Sequence, residues 1–376
     1  MDLRFVCITT FYTLGEVRAT MKTKTVKNTF DVKTINSKPT LTSTLRAGIV
    51  GAGLMGHWHA HALEKVGGEV IAIVDFDTAK AERLAADYPN AKSFETVEKM
   101  LAAQGIDVLH VCSPTASHEL IAETAIEAGV HLLVEKPVAA TAKKTVELYD
   151  LAARRETLLC PVHQFVFQDG TAQAKKRLAD IGRVVHLEAR ICSAGGDGLG
   201  GERIDQIAAD ILPHPLSMAQ KFIEDDISQI DWNVLHPDDG ELRIFGQESK
   251  GASLSFFISM NSRPTSNSFH LYGSSGTIHL DLFHGFSIVE PGSASKTGKI
   301  LRPFDLAARN FTAATVNLTR RTVRRESAYP GLRQLIKEFY GAIKDDSKLP
   351  ITPAEAIAVA KTRDLLISLA GIAQTA

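Results

Sequence analysis

Three glycines within six residues, Gly51, Gly53 and Gly56, follow a short apolar run and precede a helical segment. In a strand-to-helix turn, glycines let the main chain approach a diphosphate closely, while the first amides of the helix face the anion. A lone G-x-G-x-x-G is weak support, but the strand before it and the helix after it are the context that dinucleotide binding requires. We therefore predict a dinucleotide site formed by Gly51, Gly53, Leu54, Met55 and Gly56.

An acidic residue ends the second apolar run. Asp75 lies nineteen positions after Gly56, where a carboxylate accepts hydrogen bonds from ribose hydroxyls and repels a 2′-phosphate. This spacing predicts NAD as the cofactor, with NADP less favoured. The structural alternative is that Asp75 only caps the next helix, although Asp77 can fill that role instead.

Apolar runs and helical segments alternate after the glycine turn. Short buried strands separated by helices predict parallel crossovers, and hence a doubly wound Rossmann domain over residues 46–164. Closely spaced strands with few helices between them then predict an α+β domain with an open, mainly antiparallel sheet over residues 165–350. The predicted fold class is therefore α/β, with two domains of different architecture.

The two ends of the chain differ in character. Residues 1–45 are rich in threonine and show no helical period, so we predict a flexible tail in which either Met1 or Met21 is the start. Residues 351–376 open with a helix-start signature, T-P-A-E, and predict a C-terminal helix that packs back on the core. Its predicted apolar stripe consists of Ile357, Ala360, Leu365 and Leu369.

A lysine follows the strand predicted over residues 131–134. The segment V-E-K-P-V places Glu135 and Lys136 at the edge where open α/β sheets bind their ligands. Pro137 restricts the local backbone and so defines the direction of the ammonium group. A solvated surface lysine is the alternative interpretation.

From about residue 46 to its C-terminus, the chain resembles the glucose-fructose oxidoreductase / inositol dehydrogenase / MocA family. The resemblance rests on the glycine turn, on C-S-P-T-A-S-H-E-L through V-E-K-P (112–137), on D-I-L-P-H (210–214) and on G-S-S-G-T-I-H-L-D (273–281). It implies a sugar-type small-molecule substrate and a second domain whose open sheet often serves as an oligomer interface, hence a homo-oligomer, dimer or tetramer. It also implies cofactor contacts from Ser113, Pro114, His118, Glu135, Lys136 and Gln164.

The resemblance implies three catalytic residues. By position, Lys136 matches a lysine that touches substrate and nicotinamide, and Asp210 and His214 match a D-x-x-x-H signature. A hydride leaves an alcohol carbon only as the hydroxyl proton departs, and imidazole titrates near neutral pH, so His214 is the predicted base. Asp210 would orient the imidazole or bind a neighbouring hydroxyl, and Lys136 would stabilise alkoxide charge. Flanking prolines place His214 at a helix start, and a capped or core histidine is the alternative.

Some positions depart from the family pattern. Leu212 replaces the usual glycine between the acid and the histidine, and Ser217 replaces a frequent second acid. The stretch after the strand predicted to end at Pro161 lacks a common arginine, leaving His163 and Gln164 as its polar candidates. The F-V-F segment at 165–167 favours a substituted or nucleotide sugar over a free sugar, unless these phenylalanines simply face the core.

Composition limits the function classes. The 376 residues are 44% hydrophobic and 23% charged with a net charge of −1, which is typical of a globular protein and gives no global attraction to nucleic acid. Cys7, Cys112, Cys160 and Cys192 show no C-x-x-C spacing. We therefore predict no disulfide framework, no metal site and a cytoplasmic location.

Residues 302–325 contain six arginines and one acidic residue. On a helix, one face consists of Phe304, Ala308, Phe311, Thr315 and Leu318. Arginines near the C-terminal end suit the helix dipole, which is the structural interpretation. Contact with a membrane surface or another anionic partner is the alternative.

These features predict an NAD(P)-dependent oxidoreductase that transfers hydride between nicotinamide and a secondary alcohol of a sugar, nucleotide sugar or cyclitol. One alternative is a closed redox-cycle enzyme on the same substrates, such as an epimerase or an NAD-dependent glycosidase. Another is a non-catalytic regulator that senses the dinucleotide, since a fold alone does not fix a function.

Overall fold

The computed structural model describes residues 44–373 except residues 104, 194, 196, 197, 293, 294, 327 and 346. Residues 1–43 of the predicted tail, with Met1, Met21 and Cys7, lie outside the described residues. Leu45, the last residue of that predicted tail, is buried, and its carbonyl accepts a hydrogen bond from the Glu69 amide.

The first sheet has six parallel strands in the order β3-β2-β1-β4-β5-β6. These strands are β1 (Arg46–Val50), β2 (Glu69–Val74), β3 (Lys92–Phe94), β4 (Val108–Val111), β5 (His131–Val134) and β6 (Leu159–Pro161). The connecting helices are α1 (Leu54–Lys65), α2 (Thr78–Ala86), α3 (Val97–Ala103), α4 (His118–Glu127) and α5 (Ala142–Arg154). The strand order reverses between β1 and β4, and open sheets of this kind bind ligands in the crevice at that point.

The second sheet has seven strands in the order β13-β12-β11-β7-β10-β9-β8. They are β7 (Val184–Cys192), β8 (Asp231–Asp238), β9 (Glu241–Gln247), β10 (Ser253–Ser259), β11 (Ser266–Gly273), β12 (Gly276–Asp281) and β13 (Phe286–Pro291). Only the pair of β7 and β10 is parallel. The predicted fold class is thus confirmed, although β3 and β8 were not predicted.

Helices cover one face of the second sheet. They are α6 (Asp169–Lys176), α7 (Glu202–Ile211) and α8 (Pro213–Phe222). Alternate strand residues such as Phe256 and Phe269 are buried in one core with Leu216 and Met218 of α8. This packing holds α8 against the second sheet.

Three helices follow the second sheet: α9 (Lys296–Arg324), α10 (Leu332–Asp345) and α11 (Pro353–Leu369). Leu335 and Phe339 of α10 are buried in the first core. Ala356 of α11 also belongs to the first core, whereas Leu366 belongs to the second. The last helix therefore packs against both cores. Among the described residues, none of the helices is both long and apolar enough to cross a bilayer.

The start of α11 was predicted correctly, but its apolar stripe was not. Thr352 caps the helix in a capping box with Glu355, and Pro353 is its first residue. Leu365 and Leu369 of the predicted stripe are 41% and 47% exposed. The buried positions are instead Ala356, Ala358, Val359, Thr362, Arg363, Leu366 and Ile367, because α11 lies between two cores and buries more than one side.

Candidate functional site

Two of the three glycines are required by the turn between β1 and α1. Gly51 has φ +98°, and a Cβ there would lie 2.7 Å from the backbone of Cys112. A Cβ on Gly56 would lie 1.8 Å from the carbonyl oxygen of Gly51. A side chain at either position would force the turn apart, so these glycines bring the chain close to β4 and to the start of α1.

Gly53 has a different environment. A Cβ at this position would meet no atom within 4 Å. Gly53 is the N-cap of α1 and contributes no side-chain acceptor to the first turn. Leu54, the first helical residue, is 44% exposed, whereas Met55 packs partly buried against the first core. Open space therefore lies beside Gly53 at an uncapped helix start.

Asp75 lies at the end of β2 and contacts the glycine turn. Its carboxylate accepts hydrogen bonds from the amide of Ala52 at 2.6 Å and from the amide of Asp77 at 2.8 Å. Asp77 caps α2 by accepting hydrogen bonds from the amides of Ala79 and Lys80. The helix-cap alternative for Asp75 is therefore wrong, and Asp77 has that role.

The loop after β4 is linked to the loop after β5 through His118. This buried ring places Nδ1 2.8 Å from the carbonyl oxygen of Pro137 and Nε2 2.7 Å from that of Ser113. Pro114 precedes a short 3-10 turn, and the hydroxyl of Ser113 lies 2.7 Å from that of Ser117. Both ring nitrogens of His118 thus contact backbone, which fixes the two loops relative to each other.

The three predicted catalytic residues line one cavity of about 150 Å³. Lys136 follows β5, Asp210 lies near the end of α7, and His214 is the second residue of α8. The ammonium group of Lys136 donates a hydrogen bond to the backbone carbonyl of Asp210 at 3.0 Å. Phe165 and Asn267 are also part of the lining. Segments far apart in the sequence are therefore brought together.

His214 lies at the helix start predicted from its flanking prolines, because α8 begins at Pro213. Its ring packs on Phe165 with 4.4 Å between centroids. Nδ1 is buried and has no hydrogen-bond partner among the described residues. Burial, the ammonium of Lys136 and the nearby His163 lower the pKa of His214 well below its usual value. The imidazole is therefore neutral at pH 7.

The predicted orienting bond from Asp210 to His214 is not made. The Asp210 carboxylate accepts a hydrogen bond from the side-chain amide of Gln206 at 3.1 Å and lies 3.5 Å from Nη2 of Arg363. Arg363 is buried and also donates to the carbonyl of Ala140 at 3.0 Å. Asp210 points toward α11 because that helix supplies the countercharge, a partner absent from the prediction.

Glu135 belongs to a buried chain of polar groups that was not predicted. Its carboxylate lies 3.2 Å from Nε2 of His59, whose Nδ1 lies 2.9 Å from Nδ1 of His110. Nε2 of His110 lies 2.8 Å from the hydroxyl of Tyr340. Every ring nitrogen is satisfied when Tyr340 donates to His110, His110 to His59 and His59 to Glu135.

Neighbouring groups favour the ionised form of the Glu135 carboxylate. Burial alone would raise the pKa of Glu135, but the hydrogen bond from His59 and the charge of Lys136 lower it. Glu135 also accepts a hydrogen bond from the backbone amide of Lys136 at 3.3 Å. The carboxylate thus fixes the backbone that carries the catalytic lysine candidate.

The segment after β6 forms a 3-10 turn, Gln164–Phe167, rather than a strand. Phe165 lines the cavity, whereas Phe167 packs partly buried against the first core. The Oε1 atom of Gln164 is buried and has no partner among the described residues. Burial is the main cause that lowers the pKa of His163 to about 4.

One polar residue of the cavity lining, Asn267, was not predicted from the sequence. The Oδ1 atom of Asn267, on β11, is buried and has no partner in the described part of the chain. The hydroxyl of Ser217 donates to the carbonyl of His214 at 3.0 Å, and Leu212 is fully buried in the second core. Across the described residues, no cluster of three or more His, Cys, Asp or Glu side chains suits a metal ion.

Residues 45–163 match the sequence profile of a family described as an oxidoreductase family with an NAD-binding Rossmann fold, GFO_IDH_MocA. By this match, residues 45–163 are similar to the Rossmann part of the Gfo/Idh/MocA family. The matched residues include the glycine turn, Asp75 and Lys136.

Individual relatives match this chain over part of their length. It is 33% identical to an inositol 2-dehydrogenase of Corynebacterium glutamicum over 30% of the chain and 34% of that protein. It is 31% identical to a myo-inositol dehydrogenase of Streptomyces leeuwenhoekii over 48% of the chain and 57% of that protein. The chain thus spans from about a third to just over half the length of these curated relatives.

A solved structure extends the likeness to the second sheet. The dehydrogenase WlbA of Bordetella pertussis, in complex with NADH and UDP-GlcNAcA, superimposes with a TM-score of 0.69. The match covers 88% of this chain and 96% of that chain at 16% sequence identity. At this identity the similarity establishes the fold of both parts of the chain and nothing beyond the fold.

Proposed function

We propose that this protein is an NAD-dependent oxidoreductase that oxidises a secondary alcohol of a sugar, nucleotide sugar or cyclitol. The observation that carries the proposal is the cavity of about 150 Å³ in which a lysine ammonium and a neutral histidine meet. Oxidation of an alcohol needs both a proton acceptor and stabilisation of negative charge on the alcohol oxygen. Relatives named as inositol dehydrogenases support this substrate class.

The residues around the glycine turn fit a dinucleotide. The open space at Gly53 and the uncapped start of α1 suit a diphosphate, and the Asp75 carboxylate at the end of β2 suits a ribose diol. Gln164, whose buried Oε1 has no partner in the described chain, and Lys136 would adjoin the nicotinamide. Bound NAD would supply the hydride acceptor.

The chain's own residues would transfer the proton, stabilise the developing charge and position these groups. His214 would accept the proton of the substrate hydroxyl, because its imidazole is neutral and its buried Nδ1 has no partner among the residues that the structure describes. Lys136 would stabilise the charge that develops on the same oxygen, held in position by the carbonyl of Asp210. Glu135 and His118 would act by positioning, because their polar atoms already contact the protein.

The cavity lining supports a ring-sized polyol as the reacting part of the substrate. The cavity has a volume of about 150 Å³. The Asn267 side-chain oxygen, which has no partner in the described part of the chain, offers an acceptor for a hydroxyl, and Phe165 offers an apolar wall. The open face of the second sheet is the proposed oligomer interface, and a cytoplasmic location stays a prediction from the cysteine usage.

Gly53→Ala is expected to weaken NADH binding by tenfold or more, about 1.4 kcal/mol, because its methyl group would occupy the space proposed for the diphosphate. The free protein should lose no more than about 1 kcal/mol of stability, because the Cβ meets no protein atom within 4 Å. Fluorescence titration with NADH and thermal unfolding measure the two effects. Gly56→Ala is the matched comparison and should destabilise the free protein itself. Unchanged NADH affinity in Gly53→Ala would contradict the proposed diphosphate position.

Asp75→Asn is expected to shift cofactor preference from NAD toward NADP. Removing the charge removes repulsion of a 2′-phosphate, so the ratio of the NADPH to the NADH dissociation constant should fall by about tenfold. Asp77→Asn is the matched control, because Asp77 caps α2 and should leave the ratio unchanged. If both variants keep the wild-type ratio, Asp75 does not select the cofactor.

The proposed activity is tested by adding cyclitols, hexoses, glycosides and UDP-sugars to the protein with NAD and following NADH absorbance. At least one class should give NADH formation that saturates with substrate and depends on His214. Absence of NADH formation across the panel, with NADH binding intact, would contradict the dehydrogenase proposal and separate it from cofactor binding.

A further inference from the structure

We propose that α9 pairs with α9 of a second copy of this chain in antiparallel orientation. The contact surface is a row of residues along the outer side of the helix, here called the seam: Leu301, Phe304, Ala308, Phe311, Thr315, Leu318 and Thr322. These residues are spaced alternately by three and four positions, the repeat by which paired helices pack knobs into holes.

The seam is exposed although it is apolar. None of the described residues of the 29-residue helix is buried. Phe304, Phe311 and Leu318 are 73%, 75% and 65% exposed. Large apolar side chains aligned along one helix face are typical of a surface that another element covers. The helix therefore has a face that the described residues leave uncovered.

The polar side chains within the seam do not oppose an apolar contact. The hydroxyl of Thr315 donates to the carbonyl of Phe311 at 2.7 Å, and the hydroxyl of Thr322 donates to the carbonyl of Leu318 at 2.8 Å. Because these donors are satisfied within the helix, covering the threonines leaves no hydroxyl donor unpaired. The seam itself carries no charged residue.

Four arginines of α9 point away from the seam and hold the helix to the second sheet and α6. Arg302 pairs with Glu290, and Arg324 lies 2.8 Å from Asp169. Arg309 donates to the carbonyl of Val289, and Arg321 to the carbonyl of His284. A helix that binds an anionic membrane needs its basic groups free for the lipid headgroups. The uncharged seam instead favours a second apolar helix.

The order of large and small residues in the seam makes it complementary to itself. Along its length after Leu301, Phe304, Phe311 and Leu318 alternate with Ala308, Thr315 and Thr322. Antiparallel helices pair each position of one set with a position of the other set. Phe311 then faces Thr315 of the second copy, Phe304 faces Thr322, and Leu318 faces Ala308. A parallel pair would stack large on large and small on small.

In this register a two-fold axis relates the two helices, which is the usual symmetry of a pair of identical chains. Covering the exposed parts of the seam in both copies removes roughly 1,200 Å² from solvent, since a phenylalanine alone buries on the order of 150–250 Å². That area reaches the lower limit of roughly 1,200 Å² for stable interfaces. A second copy thus fits the seam in shape, is uncharged where it touches the seam, and buries enough area for a stable contact.

The test compares the mass of the full-length protein in solution with that of three variants. Phe311→Glu places a charge at the centre of the seam and should reduce the mass by a factor of two. Val323→Glu, at a 79% exposed position of α9 outside the seam, is the matched control. Phe245→Glu, at a 50% exposed position of β9, addresses the open sheet instead. Light scattering after size exclusion measures the mass, and thermal unfolding checks that each variant is folded.

A twofold loss of mass in Phe311→Glu, with Val323→Glu at the wild-type mass, supports the proposal. A wild-type monomer, or a mass that only Phe245→Glu reduces, overturns it. Flotation with vesicles that contain phosphatidylserine adds another overturning outcome, in which Phe311→Glu abolishes vesicle binding and leaves the mass unchanged.

The orientation is tested by oxidative crosslinking. Phe311→Cys combined with Thr315→Cys should link two copies, because these positions face each other across the antiparallel pair. Phe311→Cys alone should give no more crosslinking than the unaltered protein. Equal crosslinking of the single and double variants would overturn the antiparallel register.

Discussion

Replacing His214 with Asn is expected to lower kcat for alcohol oxidation by about 10²–10⁴-fold, the usual contribution of a positioned general base. Asparagine keeps a polar side chain of similar size at the start of α8 but cannot take up the proton. NADH formation with the preferred substrate measures the loss, and the dissociation constant for NADH should stay unchanged. His61→Asn, on α1 and outside the cavity lining, is the matched control.

The pH dependence of the wild-type protein separates a base from a structural histidine. His214 works as a base only when neutral, and burial with the nearby Lys136 lowers its pKa well below the usual value. The rate should therefore fall only at a pH well below the usual histidine pKa of about 6.5, and this decline should be absent from the residual rate of His214→Asn. Full activity in His214→Asn would remove His214 from the reaction.

Several parts of this site can be predicted from neighbouring residues in the sequence. The glycine turn is predictable because the close approaches at Gly51 and Gly56 exclude any side chain. The position of His214 is predictable because Pro213 can be tolerated only at the start of α8. Such features depend on neighbouring residues alone, so they need no knowledge of the tertiary structure.

Strands and faces that depend on distant packing were harder to predict. β3 has only three residues, and β8 is largely exposed, so neither shows a strong apolar pattern. The apolar stripe predicted for α11 was wrong because this helix lies between two cores and buries residues on more than one side. Leu365 is exposed, whereas Arg363 is buried where it meets Asp210.

Residues that position Glu135 from other elements of the fold could not be identified from the sequence. His59, His110 and Tyr340 come from α1, β4 and α10, and only the fold brings them into line with Glu135. His59 follows Gly56 by three positions, which places it near the glycine turn, but no local rule names its partner. Partner identity depends on tertiary contacts.

Replacing Lys136 with Met is expected to lower kcat by about 10²–10³-fold, the cost of removing one group that stabilises developing oxyanion charge. Methionine keeps the unbranched chain but removes both the charge and the hydrogen bond to the carbonyl of Asp210. The same NADH assay measures the loss. Lys143→Met, at a side chain 84% exposed on α5, is the matched control and should retain wild-type activity.

The same variant should also change the pH profile, which a purely structural lysine would not do. The ammonium of Lys136 is one of the groups that lower the pKa of His214, so its removal should raise that pKa. Burial still opposes protonation and keeps the pKa below its usual value. The acid limb of the residual activity should therefore move to higher pH in Lys136→Met and remain in place in Lys143→Met. A lower kcat with an unmoved acid limb would show that Lys136 and His214 do not act on a shared oxygen at close range.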